Sequence, residues 1–159
     1  MADKATASLS ASVFMDDIKS AMSGSYNYEP KDSNDKWLFA EIAVSNTSTD
    51  LIADMDYLGS TATTVVADDD VAWIAIKNTS TTSTDGIAIR IDAGTAAYNS
   101  AGNIYIGSGE MVVLKTYTTP LASIHAISVT MDGTYGYPSG THAGTVSCQV
   151  AAIVDDGGV

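Results

Sequence analysis

Strict period-two alternation constrains this chain more than any other feature. In Ile87-Ala88-Ile89-Arg90-Ile91-Asp92, three isoleucines fall on one side of an extended backbone and Ala88, Arg90 and Asp92 on the other. That is the pattern of a half-buried strand. The same rhythm runs through Val71–Asn78, Met111–Tyr117, Ile124–Met131 and Thr145–Val154. In Lys36–Val44 it sets Leu38, Ala40, Ile42 and Val44 against Trp37, Phe39 and Glu41. Shorter strands are expected over 61–66 and 104–106. Clusters of Asn, Ser, Thr, Asp and Gly separate the runs and leave no room for crossover helices. The expected fold is therefore all-β, an antiparallel β-sandwich of jelly-roll-like type.

Residues 1–30 read differently and are expected to form an N-terminal arm, with 31–159 as a single sandwich domain. Ala5, Ala7, Leu9, Ala11 and Val13 alternate with Ser and Thr, and side chains this small fill a core poorly. Ser12 is placed to cap one short helix over 13–22, with Phe14, Ile18 and Met22 at i, i+4 spacing and Gly24 beyond its end. A strand continuing through Val13 is the alternative. The arm is expected to lie along a neighbouring subunit by strand addition, its rival being an ordinary first strand of the chain's own sheet.

Two loops share one chemistry. Asn46-Thr47-Ser48-Thr49-Asp50 and Asn78-Thr79-Ser80 through Asp85 each end one strand in Asn and open the next after Asp. Asx and hydroxyl side chains that cap their own backbone account for both as turns, without a duplicated domain or glycan attachment. Asp68-Asp69-Asp70 lacks the spaced oxygen ligands and glycine of a calcium loop and reads as a solvated segment. The single cysteine, Cys148, alternates with Val146 and Val150 as a small core residue. The loop 132–140 is glycine-rich and carries Tyr135 and Tyr137.

Charge narrows the partners. Nineteen Asp and Glu stand against seven Lys and Arg, a net charge of -12. Nucleic acid and anionic membrane both demand clustered cations, so neither is an expected partner. No run is long and apolar enough for a membrane span, and no apolar signal segment opens the chain. Catalysis needs a positioned base, nucleophile or metal, and no spacing here supplies one. His125 shares a strand face with Ile127, Val129 and Met131 and is expected to be a hydrogen-bonded structural residue. His142, in a glycine loop, is a candidate contact. The chain is accordingly read as a non-enzyme with no cofactor and no metal. Trp37 and Trp73 sit mid-strand and are expected to pack between sheets. Tyr98, Tyr105, Tyr135 and Tyr137 are the other aromatic residues that could stack on a sugar. The candidate partner contacts are Leu9, Val13, Tyr135, Tyr137 and His142.

Several of these segments, taken together, resemble a module of small structural proteins from tailed bacteriophages. They are Trp73-Ile74-Ala75-Ile76-Lys77-Asn78-Thr79-Ser80, Ile87-Ala88-Ile89-Arg90-Ile91, Ser108-Gly109-Glu110, and the strand ending in Met131. The resemblance spans roughly 70–155 and its motifs are short. It implies a β-sandwich that serves in the virion, for example as a decoration (cement) protein on the outer surface of the capsid. The implied partners are the major capsid protein or other virion proteins, with the chain acting as a homo-oligomer. A neck, tail or fibre component and a carbohydrate-binding adhesin module are the alternatives.

Overall fold

A computed structural model describes residues 4–15, 18–30, 35–52, 58, 70–91, 95–115 and 124–155. The chain divides into two compact units, Met1–Ser33 and Asn34–Val159. The expected strand over 61–66, most of the acidic run 68–70, and Asp16-Asp17 lie outside the described residues.

The first unit is one antiparallel ribbon. Strands β1 (Ala5–Met15) and β2 (Ile18–Tyr28) pair without a register shift, from Ala5 opposite Tyr28 to Met15 opposite Ile18. The helix expected over 13–22 is absent, and strand runs through both halves of that segment. β-Branched Val13 and Ile18 and aromatic Phe14 lose side-chain freedom in a helix and suit a strand, and the pairing of β1 with β2 continues up to Met15 opposite Ile18. The i, i+4 spacing of Phe14, Ile18 and Met22 carries no helix. Alternation gives the ribbon two faces. Ala5, Ala7, Leu9 and Ala11 share one with Met22, Gly24 and Tyr28, while Thr6, Ser8 and Ser10 share the other with Ser23, Ser25 and Asn27. On the polar face Thr6 Oγ1 donates to Asn27 Oδ1 at 2.8 Å.

Among the described residues the second unit holds two antiparallel sheets. One runs β3 (Asp35–Val44), β11 (Val146–Asp155), β5 (Asp70–Asn78), β8 (Met111–Lys115). The other runs β10 (Pro138–Thr141), β9 (Ile124–Met131), β6 (Asp85–Ile91), β7 (Ile104–Ile106), with the short β4 (Thr49–Asp50) also paired to β9. The alternating residues meet between the sheets. Leu38, Val44, Ile74, Ile76, Val150 and Ala152 come from the first sheet, and Ile87, Ile89, Ile106, Ile124 and Ala126 from the second. Cys148 is part of the same core, as its neighbours imply. Each fully buried Ile or Leu contributes about 1.5–3 kcal/mol, so this layer dominates stability. The all-β, sandwich-like expectation holds.

The outer faces are less ordinary. On the second sheet, Ala88, Ile127, Val129 and Met131 turn away from the central core into a smaller cluster, packed with Ala96, Tyr98 and Tyr105. Ser48 Oγ accepts from Ala96 N at 2.8 Å, and Tyr105 Oη donates to Tyr98 O at 2.9 Å, which fixes these aromatics as cover. Tyr98 and Tyr105 are thus half-buried packing residues. On the first sheet, Trp37 and Trp73 flank Ile153 in one cross-strand row, on the face opposite Leu38 and Ile74. They do not pack between the sheets. Alternation had already set Trp37 opposite Leu38, and which face is inner is decided by the neighbouring strands. Strand β10 takes up the end of the segment expected as a loop over 132–140. Pro and Gly within it are tolerated because it lies at an edge, with a register shift between Pro138 and Gly140.

Candidate functional site

The loops between β5 and β6 and between β9 and β10 lie side by side, joined where Met131 N donates to Thr84 O at 2.8 Å. At their base stands Asn78, the last residue of β5 and wholly buried. Its Nδ2 donates to Asp85 O at 3.0 Å and to Ile106 O at 3.3 Å, both in the opposite sheet. Its Oδ1 accepts from Ser80 N at 2.9 Å, the Asx turn expected of this motif. Asn46, its counterpart, is exposed, and Ser45 Oγ accepts from Thr47 N in its place. The two loops are therefore alike in composition and unlike in construction.

Asp85, the first residue of β6, gathers the next layer. Its Oδ2 accepts from Ser80 Oγ at 2.7 Å, and its Oδ1 lies 3.2 Å from His142 Nε2. His142 Nδ1 accepts from Gly144 N at 3.0 Å, so a neutral imidazole carries its proton on Nε2 and donates it to Asp85. The order is Ser–Asp–His, with the carboxylate in the middle. Activation of a serine needs the imidazole in the middle, to take the hydroxyl proton. This set ties the β5–β6 loop to the segment between β10 and β11 and does not prime Ser80 for attack. His142, a candidate contact, engages Asp85 and Gly144 through its two ring nitrogens and keeps its side chain 24% exposed. Beneath it, buried Ser128 donates its hydroxyl to Gly144 O at 3.0 Å.

The β9–β10 loop, beside the β5–β6 loop, is held by a side chain of its own. Asp132 Oδ1 accepts from Thr134 N at 2.8 Å and from Tyr135 N at 2.9 Å, while Gly136 N donates to Asp132 O at 2.8 Å. Gly136 takes φ +69, a left-handed conformation that glycine adopts without steric cost. On this fixed backbone Tyr135 and Tyr137 are 74% and 70% exposed. Both tyrosines and His142 thus belong to one end of the second unit. Leu9, 54% exposed, and Val13, paired with Ser20, belong to the ribbon.

A second apolar surface was not singled out from the sequence. On the outer face of the first sheet, Phe39, Ala151, Ala75 and Val113 form one cross-strand row, and Phe39 is 51% exposed. The next row is Glu41, Gln149, Lys77 and Met111, in which Gln149 Nε2 donates to Glu41 Oε1 at 2.8 Å. The signal was present in the alternation, which puts Phe39 opposite Leu38.

Among the described residues no group of three or more His, Cys, Asp or Glu is arranged to hold a metal ion. His125 lies on the face expected, but its Nε2 is 4.0 Å from Asp50 Oδ2, beyond hydrogen-bond reach, and its buried Nδ1 has no hydrogen-bond partner among the described residues. Burial pushes the Cys148 thiol up to about 11, which keeps it protonated and unreactive near neutrality. No protein-family model, no curated protein and no solved structure matches the chain.

Proposed function

We propose that this chain is a non-enzymatic virion structural protein, a decoration (cement) protein that binds the outer capsid lattice in many copies. The observation that carries the reading is the β9–β10 loop, capped by Asp132, with its two exposed tyrosines. Tyrosine supplies large contact area at small entropic cost, and a backbone already fixed adds no ordering penalty on docking. The resemblance of 70–155 to phage structural modules supports the virion setting. The net charge of -12 suits a surface turned away from the genome. Many copies, each making a modest contact, would hold a shell by avidity.

The test is a head-binding assay with purified chain and undecorated phage heads, bound copies being counted after sedimentation. The wild-type chain should saturate the lattice. A chain with Tyr135→Ala and Tyr137→Ala should lose binding at an unchanged melting temperature. Undiminished binding by that variant, or no binding to any head, overturns the reading. Density for this chain at a neck, tail or fibre would move it within the virion. The half-exposed Phe39, beside two alanines on a flat sheet face, favours a second reading, a carbohydrate-binding module. Glycan-array binding that is lost with Phe39→Ala would establish it.

A further inference from the structure

The N-terminal ribbon is built in a way that soluble proteins ordinarily avoid. Its strands are eleven residues each, about 36 Å at the usual rise. Among the described residues no third strand joins either edge. An isolated two-stranded hairpin is marginal in water. Open edges are normally blunted by charge, proline, bulges or brevity.

The two edges differ in that respect. Strand β2 carries Lys19, with Gly24 in its interior, and both discourage further pairing. Strand β1 has no charge, proline, glycine or register shift along its whole length. Beside it Leu9 and Met22 are 54% and 61% exposed on the apolar face, with open space above Gly24 between them.

We infer that β1 pairs antiparallel with β1 of a second copy of this chain about a two-fold axis at Leu9, joining two ribbons into one four-stranded sheet. The occupant follows from charge and pattern. Two copies at -12 each repel except where their surfaces are uncharged, and β1 is an uncharged strand. The two-fold register is also self-matching. With Leu9 opposite Leu9, Ala7 falls opposite Ala11 and Ala5 opposite Val13, so apolar positions meet apolar ones and Ser meets Ser or Thr. Backbone ladder bonds supply the affinity, for which small side chains suffice. The contact is isologous, so it closes at two copies and leaves the guarded β2 edges outermost. The inference does not rest on the virion reading.

The experiment uses the full chain and cysteine cross-linking. Equivalent residues facing each other across an antiparallel pair lie about 4.5–5.5 Å apart, within the span that a disulfide closes. Cys148 is buried and gives no background in the folded protein. Leu9→Cys should yield a disulfide-linked dimer under mild oxidation, whereas Ser23→Cys on the far strand should not. Wild-type chain should sediment at twice 16.4 kDa, and Ser8→Lys with Ser10→Lys, at exposed positions that face each other in this register, should halve that mass while the unfolding transition is kept. A wild-type monomer at high protein concentration, or equal cross-linking at 9 and 23, refutes the pairing. Head binding is read in a separate assay, so either idea can fail alone.

Discussion

Asn78→Ala should be among the most damaging single substitutions in the described residues. The side chain makes three hydrogen bonds from a fully buried position, two of them to carbonyls of the opposite sheet. Three net hydrogen bonds at about 1 kcal/mol each give about 3 kcal/mol. A buried carbonyl left without its donor raises the loss to roughly 3–5 kcal/mol. Against a typical domain stability of about 5–15 kcal/mol, that is a large fraction. With a urea m-value of about 2 kcal/mol/M, the unfolding midpoint should fall by roughly 1.5–2.5 M. Tryptophan fluorescence with Trp37 and Trp73 follows the transition. Asn46→Ala is the matched control, because it removes the same residue type from a similar loop where Asn is exposed. It should cost less than about 0.5 kcal/mol. Asn78→Asp keeps the acceptor for Ser80 N but turns a carboxylate toward two carbonyls, and should cost at least as much as alanine. If Asn78→Ala and Asn46→Ala prove equal, the cross-sheet tie contributes nothing and the reasoning is refuted.

Two further outcomes follow from the packing. Gly86→Ala would set a methyl group against Met131 Cγ and Sδ and about 3.0 Å from Val129 Cγ2. Overpacking of this kind costs about 1–3 kcal/mol, and Met131→Ala in the same chain should recover part of it in a denaturation double-mutant cycle. Cys148 should resist a thiol reagent near pH 8 in the native protein and react once the chain is unfolded. Its folded value of about 11 stands above the ordinary 9.0. The native state therefore holds the proton longer, and this contribution to stability is complete below about pH 9 and lost as pH rises toward 11. Flat stability across that interval would contradict the burial.

What the sequence revealed depended on how much information each residue carried. Isoleucine and valine alternation located β3, β5, β6, β8, β9 and β11, because a large apolar side chain has one acceptable side of a strand. The β1–β2 ribbon was ambiguous, since Ala, Ser and Thr are nearly as content in either geometry and a chance i, i+4 spacing suggested a helix. A mid-strand position suggests that Trp37 and Trp73 pack between the sheets, but their side follows from which neighbours pair with them. The Asn78 turn was readable as local chemistry. Its reach to Ile106 O, 28 positions away, was not, because a hydrogen bond across the sandwich leaves no periodic trace. Asp85 and Ser80 were hidden for the same reason, and only the shared loop pattern pointed to their neighbourhood.

The place of β11 has a consequence for how the chain is made. It lies between β3 and β5 and pairs with both along nearly its whole length. In the chain, however, it begins at Val146, whereas β5 ends at Asn78. At about 5–20 residues per second, synthesis of the intervening segment takes roughly 3–14 s. Throughout that interval β3 and β5 are already synthesised, while the strand that separates them is still unmade. Direct pairing of the two would bury much of the same apolar surface in the wrong sheet order, and strand insertion would then have to undo it. Sheets built from such distant segments fold slowly. The yield of native protein should therefore depend on translation speed and on chaperones that keep β3 and β5 apart.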